Sequence, residues 1–150
     1  MADETRAIAY IALGSNLGDR AQALAGARHA IAALPGTSML AESTVEETAP
    51  VGPVAQPAYL NQMVAVSTTL SPHALLDGLL DIERSAGRTR ELRWGPRTLD
   101  CDIVRYMVRF ADLTIQDDVL TLPHPELPNR DFWLRELAEL EAMSLASSAR

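Results

Sequence analysis

The run Arg93 to Ile103, RWGPRTLDCDI, gathers the residues best suited to chemistry. On a strand, alternate side chains share a face, so Asp100 and Asp102 point one way and Leu99, Cys101 and Ile103 the other. The second set is apolar and makes a core face. The first is a pair of carboxylates, a residue type poorly suited to strands and a pair that repels itself. A cation between them relieves that repulsion. Hard divalent ions with oxygen ligands fit, magnesium best where phosphates supply further ligands. A solvated strand face paired with nearby arginines is the alternative for the same two residues.

Just upstream, Arg88, Arg90, Arg93 and Arg97 fall within ten residues, with Trp94 and a Gly95-Pro96 turn among them. Guanidinium forks grip phosphate oxygens bidentately. Metal ligands, phosphate clamps and an aromatic surface thus lie close together, which favours phosphate chemistry over a charge-paired loop. A second cluster lies in LTLPHPELPNRDF. There His124 sits between two prolines that fix its backbone, and Arg130 and Phe132 follow. A locally hydrogen-bonded loop histidine is the plainer reading of His124.

Composition narrows the classes. All 13 basic residues are arginine. Without lysine there is no Walker-type phosphate loop and no Schiff-base chemistry. A net charge of −7 makes the chain a poor general partner for nucleic acid or anionic lipid. The single cysteine, Cys101, allows no intramolecular disulfide and no multi-cysteine zinc site, and reads as core. No stretch approaches the roughly 18 apolar residues of a membrane span. The opening MADETRAIAY lacks the apolar run of a secretory signal, so a cytoplasmic protein is expected. A length of 150 residues suits one domain, residues 1–150.

The elements that must hold these residues follow from periodicity. Ile8 to Leu13 reads as a buried strand ending in a Gly14-Ser15-Asn16 turn. Asp19 caps a helix with Gln22 three residues on, and Pro35-Gly36 stops it. Met39 to Glu47 reads as a strand and Thr48 to Pro57 as a proline-rich loop. Tyr59 to Thr69 is a strand with Asn61, Met63 and Ala65 on one face. Ser71-Pro72 opens a helix with an apolar stripe from Leu75 to Ile82. Thr98 to Tyr106 is a strand, Leu113 to Ile115 and Thr121-Leu122 are short strands, and Phe132 to Leu140 is a last helix before a frayed tail from Ser144. This order is that of an α+β, ferredoxin-like βαββαβ core, mostly antiparallel sheet with helices packed on it, plus a C-terminal hairpin and helix.

Four stretches, AYIALGSNLGDR, ETAPVGPVAQPAYLNQ, GRTRELRWGPRTLDCDI and LTLPHPELPNRDF, in this order, resemble the 6-hydroxymethyl-7,8-dihydropterin pyrophosphokinases of folate biosynthesis. The resemblance runs from Ala9 to about Leu140. It implies transfer of a diphosphate from ATP to the pterin hydroxymethyl group, with two magnesium ions held by Asp100 and Asp102. Arg88 and Arg97 match the arginines that bind phosphates and assist transfer. Glu83, Arg90, Trp94, Ile103, Thr121, His124 and Arg130 match positions near the nucleotide. Tyr59 and Phe132 match the two rings that sandwich the pterin, Asn61 the amide that reads its edge, and Trp94 a loop residue that closes over both substrates. Thr48 and Val51 match backbone contacts. The partners implied are ATP and the reduced pterin, with no nucleic acid, no membrane and a monomeric chain.

Departures exist. Cys101 stands where relatives often have leucine. The text VRYMVRFADL lacks the glycine of many relatives, so the following hairpin is expected to differ. Val119 replaces an arginine that some relatives carry near the adenosine. Two rivals share the same residues: a non-catalytic ferredoxin-like module that binds a small ligand or RNA, and another metal-dependent phosphoryl or nucleotidyl transferase.

Overall fold

The computed structural model describes residues 6–50, 55–87 and 98–148, the side chains of 144–148 excepted. Strand β1 (Ala7–Ser15) is buried along nearly its whole length because it is the centre of a sheet covered on both faces. Strands β4 (Tyr59–Thr68) and β5 (Asp100–Val108) flank it, both antiparallel. Outside β4 lie β2 (Thr37–Glu42) and β3 (Glu46–Thr48), and β6 (Ala111–Asp112) pairs with the far side of β5. Helix α1 (Arg20–Ala32) joins β1 to β2, and helix α2 (Pro72–Ser85) joins β4 to β5. This is the βαββαβ order expected from the sequence.

Both predicted caps form. Asp19 accepts the Gln22 amide at 3.0 Å, and Ser71 accepts the Ala74 amide at 3.2 Å with Pro72 in the first turn. These bonds satisfy amides that a helix start leaves unpaired. Past α1 the chain reverses at Gly36, whose φ is +61°. A Cβ there would lie 2.0 Å from the Thr69 hydroxyl, so only glycine fits.

Two cores result. Leu24, Ile31, Leu75 and Leu79 from α1 and α2 pack on Ile11, Leu13, Val64, Val66, Cys101 and Ile103. On the opposite face, α3 (Asp131–Ser148) brings Trp133, Leu137 and Leu140 onto Tyr10, Ala12, Met63, Ala65 and Val104. Each buried leucine or isoleucine contributes about 1.5–3 kcal/mol. Among the described residues no helix is long and apolar enough to cross a membrane.

Three elements differ from expectation. The strand predicted from Met39 to Glu47 is broken into β2 and β3. Ser43 at the break is buried, and its hydroxyl accepts the Met63 amide at 2.9 Å in place of a backbone carbonyl. The Leu113 to Ile115 strand is replaced by β6 and by β7 (Ile115–Gln116), which pairs β8 (Thr121–Leu122). The hairpin that displaces it turns at Arg109 and Phe110, both at positive φ (53° and 67°). Non-glycine residues rarely take that conformation, so the turn carries no sequence signal. Helix α3 continues to Ser148, past the predicted end at Leu140 and through the tail expected to fray. Ala, Leu, Glu and Met, good helix formers, make up five of its eight residues and serine the other three.

Candidate active site

The register across the three central strands assembles the site. Gly14 on β1 pairs with Asn61 on β4 and with Asp100 on β5. One row on, Ala12 pairs with Met63 and Asp102. Cys101 and Ile103 face the core under α1 and α2, while Val104 belongs to the α3-side core. Asp100 and Asp102 therefore share the α3 face, both half-buried, as alternation predicts. Immediately beyond, the register slips: Tyr10 pairs Arg105 but Ile11 pairs Ile103, leaving Val104 as a bulge residue. Arg105 beside it is held by Asp112 and Glu141 at 2.7 and 2.8 Å.

Gly14 is a site residue that sequence reading missed. A Cβ there would sit 3.0 Å from Asn61 Oδ1 and 3.3 Å from the Tyr59 ring. The missing side chain lets the Tyr59 ring and the Asn61 amide close over β1. Asn61 is buried, and its Nδ2 donates to the Thr48 hydroxyl. That bond turns Oδ1, an acceptor, toward Gly14. Thr48 ends β3 opposite Tyr59, so it belongs to the sheet and not to the loop predicted from it.

Next to the carboxylates lies His124. Its amide donates to the Val104 carbonyl at 2.9 Å, and its Nδ1 accepts the Glu126 amide at 3.0 Å. The ring proton is therefore on Nε2, which lies 3.8 Å from Asp102 Oδ1. Burial, then the nearby Arg130 charge, hold the imidazole pKa below its ordinary value. A neutral ring at that distance is a contact and not a salt bridge.

Arg130 precedes α3, and its carbonyl accepts the Trp133 amide at 3.0 Å. Its guanidinium carbon lies 4.3 Å from the Trp133 ring centroid. Phe132 is half-buried, its ring 6.2 Å from that of Trp133. Trp133 itself is 2% exposed. Sequence reading treated it as one more helix residue, although it is one of only two tryptophans in a chain with few aromatic residues.

Glu83 is buried on the α2 side, where Oε2 accepts the Cys101 amide at 2.7 Å. It anchors the strand that carries both aspartates. The Ile103 side chain lies in the core under α1 and α2. Thr121 is half-buried in β8. Val51, Arg88, Arg90, Trp94 and Arg97 lie outside the described residues.

The donor set suits magnesium. Among the described residues no three metal-ligating side chains converge. Two carboxylates suffice for an ion whose other ligands are water and phosphate oxygens. Nothing soft is offered, since Cys101 faces the opposite core. An α+β sheet that sets two carboxylates on one face, one of them beside an imidazole, with a buried amide two strands away, has the layout of a transferase handling a metal-complexed phosphate ester.

The 7,8-dihydro-6-hydroxymethylpterin-pyrophosphokinase family matches residues 10–142, and the chain belongs to it. A protein from Methylorubrum extorquens is 45% identical over 132 residues, 88% of this chain and 81% of that protein. One from Bacillus subtilis is 44% identical over 136 residues, 89% and 77% of the respective chains. One from Haemophilus influenzae is 43% identical over 132 residues, 88% and 80%. Each is named 2-amino-4-hydroxy-6-hydroxymethyldihydropteridine pyrophosphokinase.

Proposed function

We propose that the chain transfers diphosphate from ATP to the hydroxymethyl oxygen of 6-hydroxymethyl-7,8-dihydropterin and releases AMP. The observation that carries this reading is the shared face of Asp100, Asp102, Gly14 and Asn61 across β5, β1 and β4. The reaction requires one surface that binds a flat heterocycle and a metal-complexed triphosphate side by side, and this face offers both kinds of group.

The pterin stacks between Tyr59 and Phe132, whose ring faces suit a planar heterocycle. Asn61 Oδ1, steered by Thr48, accepts from the pterin's N–H edge. Val51 adds a backbone contact. Asp100 and Asp102 would hold two magnesium ions, which would supply positive charge against the triphosphate. Arg88, Arg90, Arg97 and Arg130 bind the phosphates, and the neutral His124 donates its Nε2–H beside them. Glu83, Ile103 and Thr121 border the nucleotide through the strands they fix, and Trp94 covers both substrates. The hydroxymethyl oxygen attacks the β-phosphorus in line and gives up its proton to solvent, the bond to the α-phosphate bridging oxygen breaks, and AMP leaves with that oxygen. Positioning and charge neutralisation account for most of the acceleration. The active species is a monomer, with residues 1–150 as one catalytic domain working in the cytoplasm.

The test is product identification with ATP, magnesium and the reduced hydroxymethylpterin. AMP in step with the pterin diphosphate is expected. ADP would make the chain a simple kinase, and no nucleotide product would make it a binding module.

A further inference from the structure

We propose that Trp133 is a positioning residue of the nucleotide site, holding Arg130 and His124 together beside Asp102 as one ready-made polyphosphate clamp. The inference rests on the reading that a nucleotide binds here.

Trp133 is anchored from below. It is 2% exposed and shares its core with Ala12, Met63 and Val104, the first two of which stand in the same row across the sheet as Asp102. The enclosed indole meets two polar side chains. The Arg130 guanidinium lies over its ring at 4.3 Å, and the His124 ring meets it perpendicularly (86°) at 4.9 Å.

Arg130 makes no salt bridge or side-chain hydrogen bond among the described residues. Its charge is held by the negative face of the indole. An arginine kept by a carboxylate would be neutralised, whereas one kept by a π-face retains its donors for an incoming anion. His124 is fixed on three sides: by Val104 through its amide, by Glu126 through Nδ1, and by Trp133 through its ring. Its remaining nitrogen lies 3.8 Å from Asp102. The indole therefore holds a guanidinium on its face and, at its edge, an imidazole whose free nitrogen lies beside Asp102. Leucine could fill part of the space but has no quadrupole to hold the arginine, and phenylalanine keeps a weaker one.

The experiment is a double-mutant cycle between Trp133→Leu and Arg130→Ala, read as the dissociation constant of magnesium with α,β-methylene-ATP by calorimetry. Trp133→Leu is expected to weaken binding by roughly two- to thirtyfold, the span of a single cation–π contact. Trp133→Phe should fall between it and wild type. Because Trp133 acts through Arg130 as well as His124, the double variant should lose clearly less than the sum of the two single losses. Fully additive losses, or wild-type affinity in a folded Trp133→Leu protein, would overturn the proposal. If Trp133→Leu does not fold, the cycle is run with Trp133→Phe, and additivity there overturns it equally. A wild-type protein that binds no analogue sinks the functional reading as well, a result distinct from a binding-competent wild type with an additive cycle.

Discussion

At the scale of single residues, the site depends on what Gly14 omits and on what Asp100 and Asp102 carry. Gly14→Ala would place a Cβ 3.0 Å from Asn61 Oδ1 and 3.3 Å from the Tyr59 ring. Both neighbours are side chains, so they give way instead of the backbone. Stability should fall by only about 1 kcal/mol. Because the displaced groups are the proposed pterin contacts, the KM for the pterin should rise about tenfold while that for ATP stays close to wild type. Steady-state kinetics with each substrate varied in turn checks the split. Asp102→Ala and Asp100→Ala remove half-buried charges that the core does not need. Their unfolding midpoints should stay within a few degrees, while AMP release drops on the order of a hundredfold or more. Rates near wild type in both would remove the metal assignment.

At the scale of elements, α3 carries an anomaly. Glu136 is 2% exposed in the stripe formed by Trp133, Leu137 and Leu140, and neither carboxyl oxygen has a hydrogen-bond partner. Burial, then the neighbouring Glu46 charge, push its pKa up to about 8 from 4.5. Below pH 4.5 the acid is protonated in folded and unfolded chains alike, and ionisation costs nothing. Between 4.5 and 8 the unfolded chain releases the proton and the folded chain keeps it, so stability falls as pH rises. Above 8 the full penalty stands. Glu136→Leu should therefore stabilise the fold, by roughly 1–3 kcal/mol at pH 8 and much less at pH 4. Urea unfolding at both pH values measures this, and an equal gain at both would mean that ionisation is not the cause. On the other face, Glu83 ties α2 to β5 through the Cys101 amide. Glu83→Ala removes that buried, charge-assisted bond and should cost about 1–3 kcal/mol. It should also lower activity, since β5 bears both aspartates, and denaturant unfolding read beside AMP release separates the two effects.

At the scale of the whole molecule, the sheet divides labour between its faces. One face is sealed by α1 and α2 and serves stability. The other is sealed by α3 only in part, and at its open end the three central strands present Asn61, Gly14 and Asp100 in one row. A ligand bound there touches three strands and the start of α3 at once, so it should stabilise the fold as a unit. A nonhydrolysable ATP analogue with magnesium at 100 times its Kd should add about 2.7 kcal/mol, a rise of several degrees in Tm. The shift should vanish with EDTA and in Asp100→Ala. A shift that persists without the metal would place the nucleotide elsewhere.

How much of this was legible beforehand depends on the range of the interaction involved. Local rules sufficed for the caps at Asp19 and Ser71, for the alternation that puts Asp100 and Asp102 on one face, and for the βαββαβ order, because each is set by a few neighbours along the chain. The Ser43 break, the positive-φ turn at Arg109-Phe110 and the bulge at Val104 left no such trace, since each is imposed by a partner strand or by closure of the hairpin. The sequence by itself determined which residues could do phosphate chemistry. Only the tertiary structure decided that Gly14 makes room for Asn61 and Tyr59, that Glu83 lies on the α2 side of the sheet, and that Trp133 and Glu136 lie on the buried face of α3. Those facts depend on contacts between strands and helices far apart in the chain, which no local pattern encodes.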